Sequence, residues 1–123
     1  MAEHTPHYLP ADRLPRTTSA DVTGGQVVYV SGNDTVAPTS AATSAWLGVA
    51  GHDAASGKQV VVYTEGVHLL NASGAIAAGA LVIPAANGAV ADQSTPSAAN
   101  DVQVVGTALS AAANSKVLVK LGR

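Results

Sequence analysis

The sequence predicts an all-β protein: a small β-barrel or sandwich of short strands, with a two-fold internal repeat and an extended N-terminal arm. Three observations carry this prediction. Short valine-rich runs alternate with clusters of Gly, Asn, Ser and Pro along most of the chain, the pattern of strands separated by tight turns. Residues 22–37 match residues 76–91 without a gap, and residues 47–62 match residues 105–120 in the same order. The first twenty residues differ from the rest, with Pro6, Pro10 and Pro15 and no alternation of apolar and polar positions.

The arm, residues 1–20, reads MAEHTPHYLPADRLPRTTSA. Its prolines forbid a regular helix, and Tyr8, Leu9 and Leu14 stand out as apolar anchors. The β-domain follows over residues 21–123, with repeat halves at about 22–70 and 76–122. Strands are expected at residues 26–30, 46–50, 58–64, 67–70, 80–83, 102–109 and 116–121. Gly, Ser and Pro interrupt the alanine-rich patches every few residues. A short helix is therefore expected only near residues 38–45 or 96–100.

In the first matched pair the offset is 54 residues, with Gly25 falling on Gly79, Val28 on Val82, Asn33 on Asn87 and Val36 on Val90. After a slip of four residues the offset is 58: Gly48 falls on Gly106, Ala50 on Ala108, Ala54 on Ala112, Lys58 on Lys116 and Val61 on Val119. Each half then reads as one hairpin around its Asn turn and a second around Ala-Ala-Ser or Ala-Ala-Asn. Glu65-Gly66 reads as one more hairpin turn.

Composition narrows the function. Alanine (25) and valine (17) dominate the apolar residues, Phe is absent and Trp46 is the single tryptophan. Such a core buries little area per residue, which favours an oligomer or a partner surface. A net charge of −2 without a basic run lacks the electrostatic footprint of nucleic-acid binding. Absence of cysteine removes disulfide frameworks and thiolate zinc sites. No signal-peptide layout and no bilayer-length apolar run occur, so a soluble protein folded in a reducing compartment is expected, with no membrane partner.

The stretch GHDAASGKQVVVY, residues 51–63, is the most suggestive of chemistry. It fails as a phosphate loop: five residues separate Gly51 from Gly57, Gln59 follows the lysine, and a strand follows instead of a helix. It fails as part of a hydrolase triad because no nucleophile elbow occurs, and neighbouring strand residues point to opposite faces. In the second copy Ser110 and Ala111 replace His52 and Asp53 while the lysine and the loop length stay, so the loop reads as a turn. His4, His7, His52 and His68, with Asp53 and Glu65, offer no fixed ligand spacing; no metal, cofactor or catalytic residue is expected. Lys58, Lys116 and Lys120 read as solvated strand-face charges, and Trp46 as a core or interface anchor.

The order of segments GGQVVYVSGNDTVA, WLGVAGHDAASGKQVVVYTEGVHLL, GAIAAGALVIPAANGAVA and VVGTALSAAANSKVLVKLG, covering about residues 22–122, resembles the head decoration (cement) proteins of tailed bacteriophages. The likeness extends to the lambda type and to the related repeat-bearing family, although aromatics are scarcer here than in the lambda type. The resemblance implies a non-enzymatic structural protein, made in the bacterial host cytoplasm and placed on the outer surface of the expanded capsid. It implies a homotrimer bound to the major capsid protein, stabilising the shell against internal DNA pressure. It implies that the N-terminal arm contacts the shell, and Tyr8, Leu9, Arg13, Leu14 and Arg16 are the arm residues expected to make that contact. The alternatives are another virion β-module, such as a tail or spike component, and a small ligand-binding β-barrel.

Overall fold

The computed structural model describes residues 13–94 and 96–122. In the first half, β1 (Arg13–Thr18), β2 (Val27–Gly32), β3 (Thr35–Pro38), β4 (Trp46–Ala50) and β5 (Gln59–Tyr63) close into a barrel in the order β1-β3-β2-β4-β5. In the second, β6 (Val67–Asn71), β7 (Leu81–Pro84), β8 (Val90–Asp92), β9 (Gly106–Ala108) and β10 (Lys116–Leu121) form a sheet ordered β6-β10-β9-β7-β8. A 3-10 turn, Ala86–Gly88, joins β7 to β8, and a four-residue helix, α1 (Ala98–Asp101), precedes β9. The all-β architecture and the internal repeat are both present.

The two halves repeat in register as well as in order. Val28 pairs with Pro38 and with Gly48; Val82 pairs with Asp92 and with Gly106. These partners stand at the two offsets visible in the sequence. The parallel Thr18–Val36 pair that closes the first barrel recurs as the Ala72–Val90 bridge. The smaller core, Val22, Val28, Val36, Ala50, Val60 and Val62, has a counterpart for every member in the larger one: Ile76, Val82, Val90, Ala108, Val117 and Val119. Alternation explains the match, because residues two apart on a strand share a face.

Four expectations are corrected. The repeating unit starts earlier than the sequence match, at β1, inside the segment read as an arm. Pro15 is tolerated there because Thr18 N–H donates to the Lys58 carbonyl, so Arg16 and Leu14 are the next residues aimed at β5. Pro15, which lacks an N–H, faces the side where β3 pairs only with Thr17 and Thr18. Second, Lys116 is the counterpart of Gln59, not of Lys58: Gln59 pairs with Thr17 and Lys116 with Asn71. The second loop is one residue shorter. Gly57, at φ +84°, gives way to Asn114 and Ser115, both left-handed at φ 55° and 60°, as a two-residue type I′ turn requires. A slip of one in β10 would have turned Val117 and Val119 out of the core. Third, Glu65-Gly66 is not a hairpin turn, since β5 pairs with β1 and β4 while β6 pairs with β10; it links the halves. Fourth, the run at 102–109 contributes only the three residues of β9 as strand.

The short helix falls in the second of the two expected windows. Ser97 Oγ accepts from Asn100 N–H and Asn100 Oδ1 accepts from Ser97 N–H, a reciprocal cap that satisfies the first turn.

The halves are joined by more than a linker. Val27, Trp46 and Val49 leave the first barrel and belong to the second half's core cluster, with Leu70, Val90 and Val105. Around them Gln26 Nε2 donates to the Asn87 carbonyl (3.0 Å), Thr39 Oγ1 donates to the Ala85 carbonyl (2.8 Å) and Gly88 N–H donates to the Thr39 carbonyl (2.9 Å). Gly88 sits at φ +69°, and a Cβ there would overlap the Gln26 side chain. Glycine is what lets the 3-10 turn lie against the first half.

Candidate interaction surface

The loop that follows β4, read from the sequence as a turn, is held by side-chain caps. Asp53 Oδ1 accepts from Gly24 N–H and Asp21 Oδ1 accepts from Ser56 N–H, at 2.8 and 2.9 Å. The two carboxylates pin the loop to the turn before β2. His52 donates from Nδ1 to the Asp53 carbonyl (2.9 Å) and accepts from Val61 N–H at Nε2 (3.3 Å). Both ring nitrogens are engaged by backbone, which fixes the tautomer with its proton on Nδ1. No group of three or more His, Asp or Glu side chains gathers around a possible metal position among the described residues.

One concavity among the described residues lies where β1 enters the barrel. A cleft of about 300 Å³ is lined by Arg13, Leu14, Pro15, Gly51, His52, Val61 and Tyr63. The Tyr63 ring lies over Gly51, where a Cβ would crowd Cε2 (2.7 Å), and its centroid is 5.7 Å from that of His68. His68 Nε2 in turn donates to the Glu65 carbonyl (2.9 Å). The wall of the cleft and the linker between the halves are thus braced together.

The arm residues divide by face. Leu14 and Arg16 pair with Val62 and Val60, both fully buried, so they point to the barrel interior. Arg13 and Pro15 pair with Tyr63 and Val61 on the outer face. Arg16 Nη1 donates to Asp34 Oδ1 at 2.8 Å across the barrel mouth, tying β1 to the β2–β3 turn. Tyr8 and Leu9 lie outside the described residues. Trp46 is buried at the junction of the halves. Sequence reasoning missed Pro15, Gly51, Val61 and Tyr63 as cleft residues. The only signal was β1 itself, and its lack of alternation hid it.

Fold and surface define a class first: a tandem of two related β-units that offers grooves and strand faces to partners. The sequence matches the family model described as phage cement protein over residues 10–123, and the chain belongs to that family. It is a structural, non-enzymatic component of a phage virion. No curated protein matches the sequence. Among solved structures the chain is similar to one titled as the crystal structure of the head fiber gp8.5 N base in bacteriophage phi29. The TM-score is 0.65 at 19% identity, covering 89% of this chain and 92% of that one; at that identity the likeness is one of fold.

Proposed function

We propose that the protein binds the outer surface of the expanded capsid as a homotrimer, contacts the major capsid protein and stabilises the shell against internal DNA pressure. The observation that carries this is the family match, which begins at residue 10 and runs through both halves to residue 123. The physical basis is differential affinity. A protein that binds the expanded lattice and not the immature shell stabilises the expanded one by the difference in binding free energy. Trimerisation adds avidity when all three copies reach their sites together.

In this reading Tyr8, Leu9 and Arg13 make the shell contact. Tyr8 and Leu9 supply apolar area, and the prolines of residues 1–15 limit the entropy lost when that segment docks extended. Leu14 and Arg16 stand behind them: the Arg16–Asp34 pair holds the root of the segment on a closed barrel. The test is to heat DNA-filled, undecorated heads and follow DNA release with an excluded dye. Saturating protein is expected to raise the release temperature by several degrees. An unchanged release temperature overturns the proposal.

A further inference from the structure

Among the described residues, the contact that joins the two halves has an open counterpart on each half. Within the chain, Val27, Trp46 and Val49 of the first half plug the mouth of the second, whose wall includes Leu70, Val90 and Val105. By the repeat, the plug residues correspond to Leu81, Val104 and Thr107. These three line an open groove of about 500 Å³ on the second half. The mouth residues correspond to Arg16, Val36 and Leu47, which line an open groove of about 180 Å³ on the first half, with Val30 at its edge. Val27 is 0% exposed, whereas its counterpart Leu81 is 44% exposed; Thr107 is half-buried and Val104 buried at the floor of the groove, and Val30, beside the first half's mouth, is 47% exposed.

We infer that the Leu81 face of one copy docks on the Val30 mouth of a second copy of this chain, repeating between molecules the junction that joins the halves within one. This rests on the self-association in the proposed function and names the surfaces that make it. Each groove is bordered by one charge of either sign, Lys120 and Asp101 beside Leu81 and the Arg16–Asp34 pair at the mouth, so neither face carries a net charge that would repel a second copy. The junction between copies is shallower than the internal one, because Val104 stands where the indole of Trp46 stands. One polar contact is also replaced. Thr39 bonds across the internal junction, whereas its counterpart Gln93 turns to Asn100 and Asp101 of α1. The contact is heterologous, since a face meets a different face, so repetition closes a ring or extends a chain.

Sedimentation equilibrium of the full chain tests this, with Leu81→Glu and Val30→Glu, both at exposed positions and checked for an unchanged circular dichroism spectrum. Wild type is expected at a multiple of the single-chain mass, and each variant alone at the mass of one chain. Mixed in equal amounts, the two variants are expected to form a dimer and nothing larger, because each keeps the face the other has lost. Three results overturn the inference: a monomeric wild type at high concentration, an oligomer that survives either substitution, or a mixture that stays monomeric. Shell binding, scored on the same samples, separates the two claims. A wild-type ring that ignores expanded heads keeps the junction and refutes the capsid reading. A monomeric wild type that binds them refutes the junction alone.

Discussion

Gly48 and Gly106 hold equivalent places in the two halves and do the same work. A Cβ at Gly48 would overlap the Tyr63 carbonyl oxygen and one at Gly106 the Lys120 carbonyl oxygen, so each lets two strands approach at full contact. Gly48→Ala and Gly106→Ala are each expected to cost about 1–3 kcal/mol, the usual range for overpacking, measured by urea denaturation. Val60 and Val117 are equivalent in the same sense, buried at 0% and 1%; Val60→Ala and Val117→Ala are each expected to cost ~2 kcal/mol. Asp34→Ala, at the exposed end of the Arg16 pair, is expected to cost no more than about 1 kcal/mol, because solvent screens the pair. The glycine pair was legible, since it recurs at the offset of 58 residues; the Val60–Val117 pair was not, because the sequence match ran one residue out of register there. The roles of Asp21 and Asp53 were not legible either. A carboxylate that caps a distant backbone N–H has no local signature.

At the scale of the element, the decisive strand is β1. Nothing in RLPRTT alternates, and Pro15 argues against a strand, so the segment reads as arm. Its strand character comes from pairing with β5 along its length and with β3 only at Thr17 and Thr18, which is tertiary information. The hairpins β2–β3 and β4–β5 and their copies were legible because local turn residues encode them. The Glu65-Gly66 linker looked the same as a hairpin turn because only long-range pairing tells the two apart. This placement separates two truncations. Removing residues 1–10 is expected to abolish binding to expanded heads and to leave the β spectrum and unfolding midpoint unchanged. Removing residues 1–17 deletes most of β1, opens the first barrel and is expected to lower the midpoint sharply. Equal shell binding by the shorter truncation and the full chain contradicts the assignment of Tyr8 and Leu9.

At the scale of the whole molecule, the sequence repeat becomes a division of labour. Equivalent positions differ in fate: Val27 is buried inside the chain while its counterpart Leu81 is 44% exposed, although Val104, the counterpart of Trp46, is buried within its own half. The slip from 54 to 58 residues between the matched pairs is the extra length that builds α1 beside Gln93, so the sequence already marked where the halves diverge. A core of valine and alanine supports a small barrel and a second sheet because Trp46 bridges them into one packed body. Co-sedimentation of the full-length protein with expanded, undecorated heads and, in parallel, with unexpanded procapsids tests the proposed function most directly. The account predicts saturable binding to expanded heads alone, as the differential-affinity picture requires; equal binding to both shells, or to neither, would contradict it.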